Sequence, residues 1–108
     1  MNSNLNREEK TLTLRLSGDL ISTTVETVRN EAGDLFGTEA GASPKWDTFI
    51  LDLTMAQMVD SAGLNFVVSL LKRIHARGAK MQVKYSSPNI FRTFMFTRLD
   101  KRVALVKV

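Results

Sequence analysis

Residues 49–71 read FILDLTMAQMVDSAGLNFVVSLL, and the rest of the chain is arranged around this stretch. Phe49-Ile50-Leu51 is a continuous apolar run, as expected of a strand that is central or covered on both faces. Residues 54–59 form a connecting loop that is unusually apolar, with Met55, Met58 and Val59. A helix is predicted to begin at Ser61 and run to about residue 77. Leu64, Val67, Val68, Leu71 and Ile74 make its core stripe, and Phe66 and Leu70 lie on the flank. Gly78 is its stop. Strand, loop and helix start together form a corner at Asp60-Ser61-Ala62-Gly63.

The same period rules assign the flanking segments. Leu5 belongs to a short edge strand, followed by a turn over residues 7–10. Leu12, Leu14 and Leu16 alternate with Thr11, Thr13 and Arg15, which makes a half-buried strand. Thr23-Thr24-Val25-Glu26 fits a capping box with Thr23 as the cap and Glu26 reaching back. Val25, Val28, Ala32, Leu35 and Phe36 follow as one helical stripe, closed by Gly37. Residues 38–45 are small and polar and read as a loop, and residues 48–53 form the strand of the opening stretch. Met81, Val83 and Tyr85 alternate in a third strand. Ser87-Pro88 starts a helix whose apolar face is Ile90, Phe91, Phe94 and Met95. Residues 103–106 form a last, short strand. Strands alternating with helices predict an α/β fold with right-handed parallel crossovers, in one domain over residues 1–108.

Composition narrows the function. The 108 residues carry no Cys and one His. Thiolate chemistry, disulfides and two-histidine metal pairs are therefore excluded. No run approaches the ~20 apolar residues of a membrane span, and the polar start MNSNLNREEK has no signal-peptide core. A cytoplasmic location is the expectation. Residues 1–60 carry a net charge of −5 and residues 61–108 a net +9. A basic half of this kind attracts nucleic acid or nucleotide, a membrane surface or an acidic protein, or is simply a solvated face.

Enzyme chemistry finds little purchase. Ser69-Leu70-Leu71-Lys72 matches S-x-x-K without the motifs that accompany it in enzymes. No phosphate-binding glycine motif occurs. Asp52 is expected to take hydrogen bonds from the amides of the following loop, and with Asp60 makes only a weak carboxylate pair. Ser61 stands out because helix-start amides favour negative charge. Its hydroxyl can simply cap the helix, or it can carry a phosphate that those amides would hold. Gly63 leaves room for an approaching kinase or partner backbone.

The segments Ile50-Leu51-Asp52-Leu53-Thr54 and Val59-Asp60-Ser61-Ala62-Gly63-Leu64 resemble the STAS domain family of anti-sigma-factor antagonists and sulfate transporters. Supporting matches are Leu16-Ser17-Gly18-Asp19-Leu20, Arg77-Gly78-Ala79 and Thr97-Arg98-Leu99-Asp100. The resemblance spans about residues 11–106. It implies a mixed, mostly parallel sheet of four to five strands with three to four helices. It implies a non-enzymatic module without cofactor, whose partner is an anti-sigma factor of serine-kinase type. Ser61 would be phosphorylated by that partner and reset by a phosphatase, with no direct DNA contact. Asp60, Gly63, Leu64, Met58, Ile21 and Ser22 are the expected partner-binding residues. The chain departs from the family at Ile21, where many antagonists carry an aspartate, and at Ala62, the place of a second serine. Both changes make the surface more apolar. The alternatives are a STAS subunit of a transporter or signalling assembly that is not phosphorylated, and a nucleic-acid or nucleotide binder acting through the basic half.

Overall fold

A computed structural model describes residues 2–6, 11–37 and 46–108. Five strands form one sheet in the order of the chain: β1 (Asn2–Asn6), β2 (Thr11–Arg15), β3 (Thr48–Leu53), β4 (Lys80–Tyr85) and β5 (Ala104–Lys107). β1 runs antiparallel to β2, and the other three pairings are parallel. Three α-helices make the crossovers: α1 (Val25–Gly37), α2 (Ser61–Ala76) and α3 (Pro88–Phe96). A short 3-10 turn, Leu99–Lys101, leads into β5. The expected turn at 7–10 and loop at 38–45 lie outside the described residues.

Register explains which strand residues carry the core. Leu14, Leu51, Val83 and Leu105 form one cross-strand row, and Leu12, Phe49 and Met81 the next. These residues join Val28 of α1, Phe66, Val67 and Leu71 of α2, and Ile90 and Phe94 of α3 in one apolar cluster, with Leu105 packed at its margin. The helices therefore cover that face. The alternate rows, Thr13–Ile50–Gln82 and Arg15–Asp52–Lys84, fall on the other face. β3 is central, as its apolar run requires, and Ile50 is buried on the side away from the main cluster.

Asp52 is the one buried carboxylate among the described residues. As expected, the next loop supplies donors: the Thr54 amide at 3.0 Å and its hydroxyl at 2.6 Å. Arg15 Nε adds a third at 3.1 Å. Burial opposes ionisation of Asp52, but the Thr54 bonds and the Arg15 guanidinium outweigh it and hold the carboxyl below its usual range.

Three expectations need correction. Thr23 and Glu26 do not form a capping box. Thr24 Oγ1 accepts from the Ile21 amide at 3.1 Å and donates to the Asp19 carbonyl at 2.8 Å, and Glu26 instead lies 3.7 Å from Arg29. The hydroxyl one position later reaches both partners, so it, not Thr23, ties the turn. In α2 the stripe is rotated: Phe66 and Leu70 are fully packed, while Leu64 and Val68 are only partly buried. In α3, Ile90 and Phe94 are buried, but Phe91 and Met95 are exposed. A two-layer arrangement leaves the outer flank of a terminal helix with no neighbour to bury it. Part of the expected α1 stripe, Leu35 and Phe36, lies outside the described side chains.

The far end of α2 is fixed by Trp46, just before β3. The Arg77 guanidinium lies 3.6 Å from the centre of the buried Trp46 ring, and Nη2 donates to the Trp46 carbonyl at 3.4 Å. Gly78 takes φ +80°, and the Ala79 amide returns to the Ile74 carbonyl, closing the helix as a Gly-terminated cap.

The rotated stripe gives a direct test. Leu70→Ala should lower unfolding free energy by about 2–5 kcal/mol, the range for a fully buried leucine. Leu64→Ala should cost clearly less. Urea denaturation of the two variants checks the order, and the reverse order would restore the stripe centred on Leu64.

Candidate functional site

Two loops meet where β2 and β3 end. The chain after β2 runs through Asp19, Leu20, Ile21 and Ser22, and the chain after β3 runs through Gln57, Met58, Val59 and Asp60. Leu20 and Val59 form an isolated parallel bridge. The Leu20 amide donates to the Met58 carbonyl at 3.1 Å, and the Asp60 amide donates to the Leu20 carbonyl at 3.2 Å. Asp19 Oδ1 accepts from the Gln57 amide at 2.8 Å. The pairing of the sheet thus continues past its strands.

Asp60 completes the joint. Its backbone is extended, with φ −91° and ψ −174°, so its side chain turns back over the start of α2. Oδ1 accepts from the Gly63 amide at 3.0 Å, and Oδ2 accepts from the Ser22 amide at 2.9 Å. One carboxylate therefore caps α2 and holds the other loop. Charge-assisted bonds from the Gly63 amide, then the Ser22 amide, hold the Asp60 carboxyl below its usual range.

Ser61 follows as the first residue of α2, and its side chain is exposed. The expectation that Ser61 could itself cap the helix is corrected, because Asp60 occupies the cap. The hydroxyl is left facing solvent beside an ionised carboxylate.

Gly63 is buried rather than open to a partner. A Cβ there would collide with the Leu20 carbonyl oxygen and lie 3.0 Å from both Leu20 Cγ and Val59 Cγ1. The space that glycine frees is filled from within the molecule, and this close approach lets the two loops pair.

The structure therefore brings Ser22, Asp60, Ser61 and Gly63 into one small region. Ile21 is part-exposed, Met58 is 55% exposed, and Leu64 packs partly on the core. Asp19, Thr24 and Gln57 support the same joint and were not singled out as site residues from sequence. Asp19 falls in the matched segment Leu16-Ser17-Gly18-Asp19-Leu20, but its partner amide is 38 positions away. A groove of about 270 Å³ runs beside the joint, lined by Gly18, Asp19, Thr23, Thr27 and Glu31 among others. Among the described residues no cluster of three or more His, Cys, Asp or Glu could hold a metal. No described helix is long and apolar enough to cross a membrane.

The family model for the STAS domain matches residues 2–108, and the chain belongs to that family. The fold is similar to solved anti-sigma-factor antagonists. A candidate antagonist from Thermotoga maritima superposes with a TM-score of 0.82 at 19% identity, over 99% of this chain and 86% of that one. An antagonist from Mycobacterium paratuberculosis gives 0.76 at 17%, over 97% and 84%. The Bacillus cell-fate determinant SpoIIAA, in its phosphorylated form, gives 0.66 at 20%, over 99% and 91%.

Two outcomes are expected. Gly63→Ala should destabilise the fold by about 1–3 kcal/mol, the usual cost of overpacking, and Gly78→Ala should not move Leu20 or Asp60. Thermal melts and the Ser22 amide resonance check this. The second concerns pH. Asp52 and Asp60 have lowered folded-state pKa values, so their stabilisation is present above the unfolded value, near 3.8, and is lost as pH falls through the folded one. The denaturation midpoint should be level from pH 7 to about 5 and fall below about 4. Asp52→Asn with Asp60→Asn should flatten that fall. An unchanged acid limb would contradict the assignment.

Proposed function

We propose that this STAS protein is an anti-sigma-factor antagonist that binds an anti-sigma factor of serine-kinase type and is switched by phosphorylation of Ser61. The observation that carries the reading is the exposed Ser61 hydroxyl beside the Asp60 cap, on a surface that also exposes Met58.

The switch works through the cost of burying charge. Unmodified, the region offers Ile21, Met58, Leu64 and the Ser61 hydroxyl around a carboxylate already satisfied by two amides. A partner can cover that surface without stranding an unpaired ion. A phosphate adds about −1.5 to −2 charges next to ionised Asp60. The Gly63 amide, which would otherwise help hold it, is already taken. The added charge is therefore less well compensated, and covering it with an apolar partner is disfavoured. Release follows, and a phosphatase restores the binding form. Asp60 and Gly63 hold the loops in place, and Ser22 lies at the rim of the contact.

One feature favours a second reading. Ile21 in place of an acid suits a subunit of a signalling or transporter assembly, which would use the same apolar face with Ser61 left unmodified.

Ser61→Asp should weaken binding to the cognate kinase-type partner by about tenfold or more, with Ser61→Ala close to wild type. Equal binding by the two variants would remove the switch. A phosphate-affinity gel of protein incubated with partner and ATP separates the readings: a shifted band, lost in Ser61→Ala, supports the antagonist, and no shift supports the assembly subunit.

A further inference from the structure

A second surface centres on α3, away from Ser61. On α3, Phe91, Met95 and Phe96 are 39%, 45% and 84% exposed. Phe91 and Met95 are one turn apart, so they form a ridge along the helix. Phe91 is held in place by stacking on Tyr85, ring centres 5.7 Å apart. Such side chains are a cost in an isolated domain and mark a surface that something covers.

The charges around the ridge indicate what covers it. Arg92 lies three residues before Met95 and four before Phe96, on the same side of the helix. Arg98, Lys101 and Arg102 follow in the turn that packs against α3, and all four cations are exposed. Among the described residues, ion pairs join Arg15 to Asp52 and Arg29 to Glu26, and none reaches these four. Arg98 is held at φ 61°, a conformation unfavourable for a residue with a side chain. The helix itself carries no acid, and Asp100 is the only one after it.

A concave groove lies at the start of the same helix. Ser86, Ser87 and Pro88, at the start of α3, line about 490 Å³ with Thr54, Met55 and Gln57 of the β3–α2 loop. Met55 is 64% exposed there. An apolar ridge, a groove at the start of its helix and cations without an ion pair among the described residues fit a chain segment better than a flat bilayer. A second copy of this protein offers a poorer match. Its acidic helix α1 presents Glu26, Arg29, Asn30 and Asp34 to solvent, with Glu26 already paired to Arg29 and no large exposed apolar side chain among those described.

We propose that α3 and the groove at its start form a second docking surface, which takes an acidic amphipathic segment of a protein partner. It is independent of the Ser61 reading and would serve a partner whether or not Ser61 is modified.

The test uses the full chain and a labelled helical peptide with Leu and Phe on one face and Glu on the other, read by fluorescence anisotropy. The same peptide with Lys for Glu is the control. The proposal expects binding of the acidic peptide that weakens with added salt and falls about tenfold in Phe96→Ser with Arg92→Glu. Ser61→Asp should bind it like wild type. Phe96 and Arg92 are exposed, so the variant should keep its fold, checked by circular dichroism. No binding, equal binding of the Lys peptide, or an unaffected double variant would overturn the proposal. So would binding to phosphatidylglycerol vesicles in place of the peptide, or a dimer in sedimentation velocity that Phe96→Ser abolishes.

Discussion

The carboxylate of Asp60 accepts two amides from two different segments, and the arrangement of the candidate site depends on it. One bond caps α2 and the other holds Ser22, 38 positions earlier in the chain. Helix capping is usually a local matter. Here it also closes a long-range contact, because the Leu20–Val59 bridge and the side-chain-free space at Gly63 bring the loops within reach. Removing any of the three is expected to loosen the other two. The position of Ser61 is a consequence: with the cap taken by its neighbour, its hydroxyl is left outside.

The sheet supplies the platform. Four parallel strands in chain order send every crossover onto the same apolar face, and their carboxyl ends gather the loops at one edge. This is where an open α/β sheet places its binding loops. The opposite end is anchored separately by Trp46 and Arg77. Helix α2 is thus tied to neighbouring segments at both ends.

The elements were legible in the sequence because their signals are local. Alternating leucines marked β2, Gly78 marked the end of α2, and Ser87-Pro88 marked the start of α3. The family was legible from Ile50–Thr54 and Val59–Leu64, and the mixed sheet was what that resemblance implied. What could not be read were the consequences of packing. Phe66 and Leu70 displaced Leu64 and Val68 from the centre of the α2 stripe, since a helix pattern gives a face but not its exact rotation against the sheet. Thr24 replaced Thr23 at the α1 turn because its partner is the Asp19 carbonyl, which only the folded loop brings near. The candidate site was legible in its residue names, but not in the division between them. Ser61 and Asp60 are adjacent, and only geometry shows that one caps and the other is exposed, or that Gly63 serves the interior.

We propose that phosphorylation of Ser61 would alter the charge of this corner and not its fold. Backbone amide NMR spectra of the chain before and after stoichiometric phosphorylation of Ser61 test it most directly. Changes confined to Ile21, Ser22 and residues 58–64, with the rest of the spectrum superimposable, are the expected result. Shifts spread through β4, α3 and β5 would contradict it, because they would make the switch a rearrangement of the domain.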